Sequence, residues 1–248
     1  MAYALDPSGY PVNIVINFLS EEKERKMKSQ LRWAWMAAAS LLLALGTTSA
    51  QAAIGSVVNS KHDFSATGPN ATYKGAGSQV CIYCHAPHNN ASAGSLLWNR
   101  ALSAATYTLY TSTTLSATTM GQPGAVSKLC LSCHDGTIAI DSFGAATGTK
   151  MVAGTALLGS DLSNDHPIGF TYDAALVGLD SGLRAVTVAA TIGAGNVGTI
   201  DTKLLVSGRM ECSSCHDVHN STSGTQVEAK LLKITTVGSA LCTTCHIK

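Results

Sequence analysis

One run of apolar residues stands near the start of the chain, from Trp33 to Leu45. Little after it carries a sustained hydrophobic pattern. Residues 91–129 and 136–163 are rich in Ala, Ser, Thr and Gly, with few large apolar side chains. Such stretches predict long irregular loops, and they cannot build a conventional core for a chain of this size. RAVTVAATI (184–192) and KLLVSG (203–208) predict short strands with an intervening turn. GAGNVG (193–198) has the spacing of a dinucleotide-binding loop, but the dozen or so residues before Cys212 leave no room for a β-α-β unit. A glycine-rich hairpin turn is the reading there.

Four copies of one pattern interrupt these loops: CIYCH at 81–85, CLSCH at 130–134, CSSCH at 212–216 and CTTCH at 242–246. They contain all 8 cysteines, and a histidine follows each pair at once. C-x-x-C-H is the covalent attachment signal for haem c: two thioethers hold the porphyrin edge and the adjacent imidazole reaches the iron. At a histidine frequency of roughly 3%, four such placements by chance come to about one in a million. Zinc ribbons and disulfides would use the cysteines but leave the four histidines without a role. Thioredoxin-like pairs would need a β-α-β setting that is missing. Short helical turns are expected at the four motifs.

The motif histidines His85, His134, His216 and His246 leave four others, His62, His88, His166 and His219. Four spare imidazoles for four irons predict bis-histidine ligation throughout, with no vacant position for a substrate, and so electron transfer rather than catalysis. Met120, Met151 or Met210 could replace an imidazole at one iron, although methionine more often simply packs. Spacing limits the pairing. Histidines three apart on a helical turn lie about 5–6 Å apart at Cβ, whereas trans ligands of one iron need Cα atoms roughly 12 Å apart. His85 and His88 therefore serve different haems if both ligate, as do His216 and His219.

The motifs follow an A-B-A-B order. VCIYCHAPHN (80–89) matches MECSSCHDVHN (210–220), and SKLCLSCHDG (127–136) matches SALCTTCHIK (239–248). An internal duplication of a dihaem unit follows, with units at 51–143 and 144–248 behind an N-terminal extension at 1–50. Each unit has one upstream histidine, His62 or His166.

MKSQLRWAWMAAASLLLALGTTSA (27–50) has the basic start, apolar centre and small-residue end of a secretory signal peptide. Translation is expected to begin at Met27, and no stable transmembrane span is expected after cleavage. Past Ala50, 11 Lys and Arg balance 11 Asp and Glu. With no basic stripe, a nucleic-acid role has no support.

CxxCHxPHN, LCLSCHDGT, NDHPIGFTYD and ECSSCHDVHN, with a terminal CxxCH, resemble the OmcE-type extracellular tetrahaem cytochromes of metal-reducing bacteria and, more broadly, the doubled-CxxCH cytochromes. The resemblance implies a multihaem cytochrome c fold: mostly irregular loops, with short helices and a few short strands packed around four covalently attached haem c groups. It implies attachment at Cys81/Cys84, Cys130/Cys133, Cys212/Cys215 and Cys242/Cys245. It also implies a head-to-tail homopolymer carrying a continuous haem chain, with one histidine crossing each subunit boundary. His62 has two assignments: a haem in its own unit, or the haem at His246 in the next subunit. The resemblance favours the second. An extracellular or cell-surface location follows, with other redox proteins or an extracellular acceptor as partners. A soluble periplasmic shuttle is the alternative, and a multihaem reductase a more distant one.

Overall fold

The structure is a computed structural model that describes residues 7, 25–30, 56–70, 73–88, 97–118, 120–193, 195–219 and 230–247. Contacts divide the chain into two units, Met1–Gln51 and Ala52–Lys248. In the first unit residues 25–30 are helical and exposed. The apolar run and the rest of the expected signal peptide lie outside the described residues. No helix among the described residues is long and apolar enough to cross a membrane.

The second unit is a small mixed α/β body of short elements joined by irregular loops. Its helices are α1 (Ala125–His134), α2 (Ala174–Leu179), α3 (Ile200–Lys203), α4 (Cys212–Cys215) and α5 (Ala240–Cys245), with 3-10 turns at Cys81–Tyr83, Gly154–Ala156 and Val237–Ser239. Its strands are β1 (Phe170–Thr171), β2 (Ala189–Ile192), β3 (Asn196–Thr199) and β4 (Arg209–Met210), in the antiparallel pairs β1–β4 and β2–β3. All four cysteine motifs fall on helical turns, as their spacing predicts.

The GAGNVG segment is part of a hairpin. Thr191 pairs with Val197 and Ile192 with Asn196, around Gly193 and Gly195 at φ +53° and +90°. Both angles lie in the left-handed region that glycine enters without strain. The strand expected at 203–208 did not form as such. Lys203 closes α3, whose Thr199 side chain caps the helix, and the chain then reverses at Val206–Arg209. The capping box at 199–202 competes with an extended backbone and prevails.

Apolar burial is modest and divided. The largest cluster joins Phe170, Tyr172, Leu176, Ala190, Ile192, Ile200, Leu204 and Met210, all from the second half. Two small groups lie apart from it, Phe64/Tyr83/Ile140 in the first half and Tyr107/Leu131/Leu162 shared between the halves. Polar hubs tie the loops between them. Buried Asp135 accepts hydrogen bonds from Ser103, Tyr107 and Thr137. Buried Glu211 joins the two halves. It caps α4, accepts from the Gly124 N–H at 3.0 Å and from the Ser127 hydroxyl at the start of α1, and pairs with Arg209 at 3.2 Å. A carboxylate beside two helix N-termini is favoured by their exposed N–H groups. A Cβ on Gly124 would come within 2.5 Å of the Glu211 carboxylate, so this approach requires glycine.

Candidate haem-attachment sites

Each motif uses its helical turn to bring two thiols and one imidazole together. On α1, Cys130, Cys133 and His134 stand at spacings of three and four, on one face. At α4 and α5 the chain leaves the helix at the histidine itself. His216 has φ −106° and ψ 142°, and His246 has φ −99° and ψ 141°. That extended residue forms an isolated β-bridge with a returning segment. His85 pairs with Trp98, His216 with Leu232 and His246 with Leu183.

The bridging bonds repeat in kind. Asn99 N–H donates to the Cys84 carbonyl at 2.8 Å, Lys233 to Cys215 at 2.8 Å and Arg184 to Cys245 at 2.8 Å. On the other side, Ala86 N–H donates to Leu97, Asp217 to Leu231 and Ile247 to Gly182. A returning strand thus clasps three of the four motif histidines. His134 is held differently: its carbonyl accepts from Leu158 and Gly159, while its Nδ1 lies 2.7 Å from the Ala156 carbonyl.

Three pairs of imidazoles lie close together, two edge-on and one stacked. His62 and His134 have ring centroids 6.0 Å apart, His85 and His219 6.0 Å, and His166 and His246 6.4 Å. Each pair joins one motif histidine to one spare histidine. Two imidazoles on opposite sides of a single metal ion, at the usual metal–nitrogen length of about 2 Å, have centroids about 6 Å apart. The interplanar angles differ: 66° and 74° for the first and third pairs, 13° for the second. Among the described residues no ring contact pairs His88 or His216 with another histidine, although His216 is near enough to His62 to influence its charge.

The donor chemistry fits the same group. A carbonyl can only accept, so His134, with Nδ1 2.7 Å from Ala156 O, and His216, 2.8 Å from Lys230 O, carry their proton on Nδ1. His166 Nδ1 is likewise 3.0 Å from Pro167 O. Nε2 then keeps its lone pair for a metal, in the arrangement that orients imidazole ligands generally. Nδ1 of His62 and of His85 are buried without a partner. Burial, aided by the neighbouring imidazoles of His134 and His216, lowers the His62 pKa to about 4, so it is a neutral donor at pH 7. None of the 8 cysteines forms a disulfide. The residues present are those that haem c requires.

The thiols also show which sites are neighbours. Burial first, and then the Cys133 thiol, pushes Cys84 up to about 11. A hydrogen bond with Cys212 raises Cys130, and burial adds to it. Cys215 is raised by burial and by Cys212 and Cys242, and Cys245 reaches about 11 through burial and Cys215. Cys130 and Cys212 are hydrogen-bonded, and the thiols of successive motifs lie near enough to influence one another's charge: Cys84 and Cys133, then Cys215 with Cys242 and Cys245.

The arm bearing His62 is anchored within the chain by an Asp63-centred turn. Asp63 accepts from Asn59 N–H at 2.9 Å, from Ser65 N–H at 3.1 Å and from the Ser65 hydroxyl at 2.6 Å. Within the single chain the His62 ring lies beside that of His134 and the His166 ring beside that of His246. His219 from the second A motif meets His85 of the first, so the two sequence halves interlock within one unit. Among the described residues Met120 and Met210 pack on or in the largest core, while Met151 is exposed. Sequence reasoning missed Glu211, Asp135 and Arg100, whose lone charges carry no motif.

Among characterised proteins, no curated relative matches the chain. Residues 205–248 match a protein family described as the doubled CXXCH motif. That stretch contains the third and fourth motifs, and its likeness to the doubled motif is consistent with a multihaem c-type cytochrome.

Proposed function

We propose that this protein is an exported electron conduit, a tetrahaem cytochrome c whose eight histidines ligate four irons in pairs. The observation that carries it is the set of three close imidazole pairs, each made of one motif histidine and one spare histidine. His88 and His216 are the remaining pair. If His219 serves the motif of His85, the duplication assigns His88 to the motif of His216, so that the two H-x-x-H segments exchange ligands. Haem supplies reversible one-electron chemistry, and with two imidazoles on the iron it offers no position for a substrate. The protein residues do the rest. The β-bridges fix three motif histidines, backbone carbonyls hold the imidazole protons on Nδ1, and the neighbouring thiols keep successive sites close. No catalytic residue is assigned.

The reading extends to a head-to-tail homopolymer at the cell surface, which passes electrons to an extracellular acceptor. The resemblance to OmcE-type cytochromes supports this extension. The nearness of successive motifs supports a continuous path within each subunit. Electron microscopy of purified native material tests it. Unbranched filaments built of this one chain are expected. A protein that stays monomeric at high concentration would overturn the polymer and leave a soluble shuttle.

A further inference from the structure

Arg100 is only 2% exposed. It follows the segment that clasps His85. Its Nη1 donates to the Ile140 carbonyl at 2.7 Å and to the Tyr83 carbonyl at 3.3 Å, and its Nη2 donates to the Ala139 carbonyl at 2.6 Å. Nε is buried with no partner, and among the described residues no carboxylate pairs with the guanidinium. Burying an uncompensated charge costs several kcal/mol even after relaxation. Carbonyl anchoring alone would be served by a neutral amide at far lower cost. Tyr83 precedes Cys84 inside the first motif, and the Arg100 charge acts on the thiols of both Cys84 and Cys133.

The duplicated half has a counterpart. Lys233 occupies the clasp position equivalent to Asn99, one residue from that of Arg100. It is half-buried, its Nζ donates to the Lys203 carbonyl at 3.0 Å, and its charge acts on Cys215. Each A-type motif therefore has a carbonyl-held cation beside its second cysteine. The surroundings differ. Asp217 acts on Lys233, and Asp135 acts on Cys133, while no carboxylate acts beside Arg100 on Cys84.

We propose that Arg100 sets the reduction potential of the haem at Cys81/Cys84/His85, raising it above the value that bis-histidine ligation alone would give. This rests on the haem reading above. One electron from an external donor takes the iron from ferric to ferrous and removes one positive charge. A fixed cation nearby destabilises the ferric state more and so favours reduction, most strongly where burial limits screening. The effect at the Cys130/Cys133 site is smaller, because Asp135 opposes it.

Spectroelectrochemical titration of the holoprotein tests the proposal. Arg100→Gln should keep four covalent haems and lower the midpoint of one haem clearly more than the others. Arg100→Lys should stay close to wild type near neutral pH. As pH rises and the substituted lysine loses its proton, that one midpoint should fall, while wild type shows no such fall because arginine keeps its charge. Unchanged midpoints in Arg100→Gln would overturn the proposal. So would an Arg100→Lys variant that shifts as far as Arg100→Gln at neutral pH, or that fails to mature, since either marks a purely structural anchor. If Arg100→Gln alone fails to mature, the pH response of Arg100→Lys decides. Wild-type protein with no covalent haem would defeat the underlying reading instead.

Discussion

Protein produced without covalent haem is expected to show no cooperative unfolding transition, while the holoprotein melts cooperatively. The apolar interior is too small and too divided to hold the chain alone. One cluster of eight buried residues lies in the second half, and two separate clusters have only three each. Ordering each residue costs about 1–2 kcal/mol of backbone entropy, and most of the described residues between 97 and 163 return little apolar burial against it. Buried imidazole nitrogens at His62 and His85 lack partners, at a cost of about 1–3 kcal/mol each. Folding and cofactor attachment are therefore coupled, as in small proteins organised around a metal. Circular dichroism of the reduced, haem-free chain checks this. A sharp thermal transition from a native-like spectrum would contradict it.

The second large effect is at His219. Replacing His219 with alanine is expected to leave four covalent haems but to open one of them, so that about a quarter of the haem binds carbon monoxide after reduction. The opened site should be that of the first motif. His219 faces His85 at 6.0 Å with rings 13° from parallel, although they belong to opposite halves of the sequence. His88→Ala should open a different haem, that of the third motif, and the double variant should open two. Intact mass gives the haem count, and carbon monoxide titration gives the number opened. A His219→Ala protein that stays fully low-spin and inert to carbon monoxide would sink this ligand exchange.

Much of the chemistry was legible because it depends on short-range spacing. C-x-x-C-H closes within one helical turn, so the sequence alone places Cys130, Cys133 and His134 on one face of α1. The three-residue separation in H-x-x-H rules out shared ligation on geometric grounds, and the structure accordingly sets His219 against His85 rather than His216. The glycines of 193–198 announced a turn because positive φ is a local demand. Long-range partners were not legible. Nothing in the sequence around Asp63 shows that its carboxylate would collect Asn59 and Ser65 and tie down the arm of His62. The same holds for Glu211, which meets Gly124 and Ser127 more than eighty residues away. KLLVSG read as a strand because its apolar residues suit one, but the Thr199–Thr202 capping box began a helix just before it. A cation such as Arg100 looks solvent-bound until its carbonyl cage is seen.

The central claim is that eight histidines occupy both axial positions of four haems. Near-infrared magnetic circular dichroism of the oxidised native protein, calibrated to its haem count by intact mass, tests it most directly. The account predicts four covalent haems, all low-spin with the charge-transfer band of bis-imidazole ligation. Fewer than four haems would contradict it. So would a high-spin or methionine-ligated fraction amounting to one haem in four.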